Sequence, residues 1–400
     1  MNSSVMVQKK EIKEIGLFNE GFLPILDGVT MTVKNYALWL NRKVAPTFVV
    51  TPKVPDYVDA EEFEVFRYFS APVPFRSPYR FGLPLLDFDI YELLLRKDIS
   101  LVHSHSPFSA ASIALKIRQQ KNIPVVATFH SKYRENLEAH IPSKLIVNVA
   151  MKSIMEWFDQ ADEVWIPQAK AEETIRSYGF KGKIEVVENG IDLDLPQDII
   201  RYRSESRKLL GFEPAENILL YVGQHIWEKN LKFLLESLGQ IKHHNFKALF
   251  VGEGYARPSM ESMVQELGIQ DKIVFWGSVV EREKLKRIYA CANLFLFPSF
   301  YDTSGLVFRE AAALHTPALL IEGATSAEVI QDGLNGYLAS NHTDAFSKKI
   351  VQILSDAKGL EQTGQIASQT LCKSWEEVVD EVHDRYLQLI RRKAAVKTYY

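Results

Sequence analysis

The stretch Phe297–Pro317, FPSFYDTSGLVFREAAALHTP, sets two carboxylates, Asp302 and Glu310, on either side of a run of small and hydroxyl-bearing residues. Asp302, Thr303 and Ser304 carry side-chain oxygens suited to capping a helix, and Gly305 permits close approach of backbone. Val307, Ala311 and Leu314 then recur at helical spacing, which predicts a helix packed on a sheet by that face, with Glu310 at its edge. The N-terminus of such a helix presents unpaired N–H groups and a partial positive charge, a setting that favours phosphate. Glu310 follows Ser304 by two turns, roughly 9 Å along the axis at 1.5 Å per residue. That is close to the separation between a diphosphate and the ribose of the same nucleotide, whose hydroxyls a carboxylate accepts. Asp302, in the loop, points the other way, toward whatever is attached beyond the diphosphate. An ordinary capped helix with a solvated Glu310 would carry the same residues.

Three histidines stand at comparable places. His103 and His105 end the apolar run Ser100–Val102, and His130 follows Pro124–Thr128; open α/β sheets place ligands at such strand ends. His103 and His105 alternate faces of an extended chain and have no carboxylate or cysteine at metal spacing, so structural roles are expected for them and no metal site.

The elements that must hold these residues alternate. Strands are expected at Ile15–Phe18, Thr47–Thr51, Glu64–Phe69, Ser100–Val102, Pro124–Thr128, Glu163–Pro167 and Ile184–Val187. Helices separate several of them, at Met31–Leu40, Ser109–Gln120, Lys144–Phe158 and Ala169–Tyr178. The first strand leads into a polar loop, Asn19–Thr30, that contains Gly28. Prolines at 72, 74, 78 and 84 predict a long irregular loop over 71–86, holding Phe75, Arg76, Tyr79, Arg80 and Phe81. Lys144–Phe158 is apolar except for a narrow stripe at Lys144, Asn148, Lys152 and Glu156, which predicts a mostly buried helix, with contact to a membrane as the other reading. The alternation resets near residue 195 and repeats from Ile218–Val222 onward. The fold class is therefore α/β with two doubly wound halves, 1–195 and 196–374, and a cleft expected between them. The amphipathic C-terminal segment of about 375–400 is expected to pack back on the first half.

The chain has 400 residues, 46% of them hydrophobic and 24% charged, with a formal net charge of -3, which fits a globular protein with no overall pull toward nucleic acid. Two cysteines, Cys291 and Cys372, suit a reducing compartment without a disulfide framework. The opening MNSSVMVQKKEIKE has no apolar signal core, and no window is apolar enough to span a bilayer, so a cytoplasmic protein, free or peripheral to a membrane, is expected.

Taken in order, a glycine-ended strand, Glu228-Lys229-Asn230, Gly252-Glu-Gly254, and Phe297-Pro-Ser followed by Asp302, Glu310 and Pro317 resemble the retaining glycosyltransferases of family four, which have the GT-B fold of two Rossmann-like domains. The resemblance runs from Gly16 to Gly336. It implies that Glu310 holds the nucleotide ribose and that Asp302 contacts the donor sugar. It further implies that the amides of Thr303, Ser304, Gly305, Leu306 and Val307 bind the diphosphate, and that Lys229 neutralises the leaving phosphate. His130 is implied to touch the donor sugar, and Gly28 to let ligand approach the first half; Gly254 and Gln224 fall in donor-side loops.

Two departures stand out. Asp302 replaces the family's usual Glu, and neutral Gln224 stands where Arg is usual, leaving Lys229 and the helix dipole to carry phosphate stabilisation unless Arg309 or His225 moves in. A charge-assisted hydrogen bond contributes about 1.5–3 kcal/mol, so the loss would weaken donor binding or slow transfer. The implied activity is metal-independent and cofactor-free transfer from a nucleotide sugar, with a UDP sugar favoured, to a lipid or glycan acceptor. The segment after Thr-Phe-His130, the 144–158 helix and the 71–86 loop resemble members that glucosylate diacylglycerol at membranes. The competing reading is a catalytically weak or inactive binding subunit with a degenerate donor site.

Overall fold

The computed structural model describes residues 12–73, 79–191, 195–300 and 302–397. It separates into two units, one that ends at Gly190 and resumes at Ser374, and one over Ile191–Lys373.

In the first unit, β1 (Glu14–Phe18), α1 (Gly28–Lys43), β2 (Thr47–Pro52) and β3 (Glu64–Tyr68) are followed by the short strands β4 (Ser70–Pro72) and β5 (Arg80–Gly82). Then come α2 (Phe88–Arg96), β6 (Ile99–Ser104), α3 (Ser109–Lys121), β7 (Val125–Thr128), α4 (Tyr133–His140), α5 (Lys144–Phe158), β8 (Glu163–Ile166), α6 (Ala171–Ser177) and β9 (Ile184–Val186). Seven strands form a parallel sheet in the order β3-β2-β1-β6-β7-β8-β9. Strands such as TFVVTP and VVAT are buried at every position, as a sheet covered on both faces demands. The C-terminal helix Trp375–Lys397 lies against α1, burying Trp375, Val378, Val379, Val382 and Tyr386. Its ion pairs Arg385–Glu185, Arg392–Glu163 and Lys393–Asp162 join the same unit.

The second unit runs α7 (Ile199–Leu209), β10 (Ile218–Val222), α8 (Leu231–Gln240), β11 (Lys247–Val251), α9 (Arg257–Leu267), β12 (Ile273–Gly277), α10 (Arg282–Cys291), β13 (Leu294–Phe297), α11 (Leu306–Ala313), β14 (Ala318–Ile321), β15 (Tyr337–Ala339), α12 (Thr343–Ser355) and α13 (Ala357–Thr370). Its six parallel strands are ordered β12-β11-β10-β13-β14-β15. The order reverses between β10 and β13, the switch point at which doubly wound sheets open a crevice at their strand ends.

Three expectations are corrected. The proline-rich loop is not wholly irregular: Ser70–Pro72 and Arg80–Gly82 pair antiparallel, and Pro84–Leu86 makes a 3-10 turn, because prolines at 72 and 84 fall at element ends where no N–H is required. Pro74, Phe75, Arg76, Ser77 and Pro78 lie outside the described residues. Helix α5 is less buried than expected: Val147, Met151, Ile154, Met155, Trp157 and Phe158 face the core, but Leu145, Ile146 and Val149 are exposed. Finally, His103 and His105 share a face. Strand β6 stops at Ser104, and the turn after it swings His105 back until the two ring centroids are 4.0 Å apart.

Candidate active site

At the β10/β13 switch point two loops meet. The loop after β10 descends through a single 3-10 turn, Trp227–Lys229, to Asn230, whose left-handed backbone (φ 61°) starts α8. The Asn230 side-chain amide donates to the Pro298 carbonyl at 3.2 Å, tying this loop to the one after β13. That tie brings the Lys229 ammonium onto Asp302 Oδ1 in an ion pair, both side chains being largely buried. Asp302 Oδ2 is buried with no hydrogen-bond partner among the described residues. One carboxylate thus holds the cation and keeps a second oxygen for another donor.

Helix α11 does not start as the sequence suggests. Its N-cap is Gly305 in the left-handed region (φ 69°), with no side-chain cap among the described residues. Asp302 is drawn off by Lys229, while Thr303 and Ser304 are buried in the approach. Among the described residues no side-chain cap takes the N–H groups of the first turn of α11, which leaves them suited to an anion. Gly305 is required twice over: its φ is positive, and a Cβ there would lie 2.5 Å from the Phe308 ring.

Glu310 is 9% exposed, so it is no solvated surface residue. Its Oε1 accepts from Arg282 Nη2 at 2.8 Å and its Oε2 from the Tyr289 hydroxyl at 2.7 Å, both from α10. Burial, followed by the charge of Glu310, holds the Tyr289 hydroxyl protonated far above its usual range. Sequence reasoning missed both partners. The available signal was their spacing, Arg282 and Tyr289 standing two turns apart on one face of a helix.

The loop carrying Gln224 is fixed by close packing. A Cβ on Gly252 would lie 2.0 Å from the Gly223 carbonyl oxygen, and one on Gly254 2.3 Å from the His225 carbonyl oxygen. The Gly-x-Gly pair lets the loop after β11 nest against the loop after β10. The Gln224 carbonyl accepts from the Tyr221 hydroxyl at 3.0 Å. The two substitutes for the missing arginine do not serve. Arg309 is buried and donates to the Leu371 carbonyl at 2.9 Å. His225 is wholly buried among Tyr221, Phe250 and Phe275, and burial followed by nearby Arg257 lowers its pKa to about 4, so it is neutral near pH 7.

In the first unit, His103, His105 and His130 form a buried stack. His103 bonds the Tyr386 hydroxyl at 2.6 Å and Thr128 Oγ1 at 2.7 Å; His105 Nδ1 meets His130 Nε2 at 2.9 Å, their rings stacked at 5.2 Å. Burial depresses all three, His130 to about 3. No group of His, Cys, Asp and Glu among the described residues is arranged to hold a metal ion. Gly28 opens α1 directly after the capping Asp27, and a Cβ there would meet nothing within 4 Å, so packing does not demand glycine. Glu20, unremarked in the sequence, caps α3 instead: its carboxylate accepts from Ser109 Oγ at 2.7 Å and from the Ala110 amide at 3.1 Å, and burial raises its pKa.

Known proteins show the same architecture. Residues 203–370 match the family model described as glycosyl transferases group 1, and residues 26–195 match glycosyltransferase family 4. The chain is 23% identical over 382 residues to the alpha-monoglucosyldiacylglycerol synthase of Streptococcus pneumoniae, covering 94% of this chain and 86% of the relative. It is 24% identical over 357 residues to the Acholeplasma laidlawii protein of the same name, covering 85% and 87%. Among solved structures, sucrose-phosphate synthase from Thermosynechococcus elongatus superposes with a TM-score of 0.79 at 20% identity, covering 95% of this chain and 100% of that one. The Anabaena protein HepE, in complex with UDP and glucose, superposes with a TM-score of 0.76 at 14% identity, covering 94% and 99%. The chain belongs to the group 1 glycosyltransferases of the GT-B fold.

Proposed function

We propose that this glycosyltransferase transfers a sugar from a UDP sugar to a glycolipid acceptor at a membrane surface, with retention and without a metal ion or other cofactor. The observation that carries the reading is the corner where Lys229, Asp302 and the uncapped start of α11 meet at the strand ends of one sheet. UDP binding by the HepE neighbour and the diacylglycerol named for the two synthases support the choice of substrates.

The chemistry follows from charge. As the bond between the anomeric carbon and the diphosphate breaks, negative charge grows on the leaving oxygen and positive charge on the sugar. Lys229 and the α11 amides stabilise the first. Asp302 stands beside Lys229 with an oxygen to accept from a sugar hydroxyl. The acceptor hydroxyl forms the new bond on the face the phosphate leaves, and its proton passes to that phosphate. The assignment of His130 to the donor sugar rests on the family resemblance.

Membrane contact is supported by the first unit's surface. Leu145, Ile146 and Val149 of α5 are 74%, 56% and 64% exposed beside Lys144 and Lys152, and Leu85, Leu86 and Phe88 are also exposed. None of the described helices is long and apolar enough to cross a bilayer, so the contact would be peripheral. Leu145→Glu with Val149→Glu is expected to reduce co-sedimentation with vesicles containing anionic lipid by about tenfold, since two large apolar groups are replaced by charges the surface repels. Equal binding by the double variant and the parent, or no binding by the parent, counts against the glycolipid reading.

A second reading, a binding subunit of low activity, is favoured by neutral Gln224 and by the engagement of Arg309 with the Leu371 carbonyl. UDP binding without turnover of any donor, with or without lipid acceptor, would select it.

A further inference from the structure

Arg282 occupies the first position of α10, directly after Glu281. A cation at a helix N-terminus opposes the helix dipole, so the local structure does not account for an arginine there. What compensates is the carboxylate of the neighbouring helix. Arg282 Nη2 donates to Glu310 Oε1 at 2.8 Å, and the fully buried Tyr289, on the same face of α10, donates to Oε2 at 2.7 Å. A carboxylate offers about four lone-pair positions, so one donor on each oxygen leaves capacity on both. Two donors on different oxygens also stop the group turning about its last bond. A carboxylate fixed in plane, with one open acceptor position on each oxygen, matches a pair of adjacent hydroxyls. The Arg282 charge has a second effect, since it offsets that of Glu310, which would otherwise repel an anionic nucleotide bound nearby.

We infer that Arg282 and Tyr289 are positioning residues, which act through Glu310 to set recognition of the 2′,3′-diol of a nucleoside diphosphate. The inference rests on the donor-site reading above and deepens it. A purely structural staple between α10 and α11 would hold the helices together without affecting which nucleotide is chosen.

The test is calorimetric titration of UDP and of 2′-deoxy-UDP into the full chain and into Arg282→Gln, Arg282→Lys and Tyr289→Phe. Arg282 is 36% exposed at its side chain, so its variants are expected to fold, and a thermal melt verifies this. The parent should prefer UDP by about tenfold or more, the effect of one well-placed hydrogen bond. Arg282→Gln and Tyr289→Phe should narrow that preference to about threefold or less, and Arg282→Lys should restore part of it. In transfer assays the donor KM should rise in both with kcat nearly unchanged, the signature of lost ground-state binding. A preference unchanged in Arg282→Gln and Tyr289→Phe, in a parent that discriminates, overturns the inference and leaves the donor site standing. A parent that binds neither nucleotide overturns the donor reading, and the inference with it.

Discussion

Replacing Lys229 by alanine is expected to lower the rate of donor turnover by about 10²–10³-fold, the usual loss when one preorganised donor to a developing anion is removed. The expectation is at the upper end here because neither expected substitute for the family's arginine is free to take over the role. Gln224 is neutral, Arg309 is committed to the Leu371 carbonyl, and His225 is buried and uncharged near neutrality. The same substitution should also reduce stability. Asp302 keeps an unpartnered buried oxygen among the described residues even with Lys229 in place, so removing the lysine leaves a largely buried carboxylate without its cation. That costs on the order of 1–3 kcal/mol, which a thermal melt resolves. Lys229→Ala in an Asp302→Asn background separates the stability effect from the lost cation, because no buried carboxylate is then left without its partner. A Lys229→Ala enzyme that turns over donor at the parent rate would remove the lysine from the chemistry.

The second large effect is acid instability of the first unit. His103, His105 and His130 are held neutral in the folded chain by burial, the last down to about 3, whereas in the unfolded chain each takes up a proton near the ordinary histidine value of about 6.5. The folded values are depressed, so below about pH 6.5 the unfolded state binds more protons than the folded one, and stability falls as pH falls. It is full above that pH and is lost progressively toward the folded values. Each histidine contributes about 1.4 kcal/mol per pH unit across its window. His130 alone, held down to about 3, removes about 2 kcal/mol by pH 5, and His103 and His105 act in the same direction. Thermal melts at pH 7.5, 6 and 5 should therefore show a steep drop in Tm for the transition of the first unit. A flat profile over this range would show that the stack carries protons when folded.

The strands and their order of appearance were legible because each buried strand is a short apolar run bounded by Gly, Pro or polar residues, as in ILLYV before Gly223 and LFLF before Pro298. Three helices were not: Tyr133–His140 and Ala357–Thr370 have interrupted apolar spacing, and Phe88–Arg96, though amphipathic, follows directly on the proline-rich loop and reads as its continuation. At the site, the sequence showed which residues matter more readily than how they are held. Asp302 reads as a cap by type, yet a lysine far away in the chain takes its carboxylate, and Gly305 supplies the start of the helix. The pairing of Glu310 with Arg282 and Tyr289 joins two helices across a strand connection, a contact of fold and not of spacing. His103 and His105 fall on one face because the strand ends between them, which no period-two rule anticipates.

The central claim is that the corner of Lys229, Asp302, the α11 N-terminus and Glu310 binds a nucleotide sugar. The most direct measurement is calorimetric titration of UDP and a UDP sugar into the parent chain and into Glu310→Ala. Saturable binding of both ligands by the parent, weakened about tenfold or more in Glu310→Ala, is the predicted result. Absence of binding by the parent, or equal affinity in the variant, would contradict it.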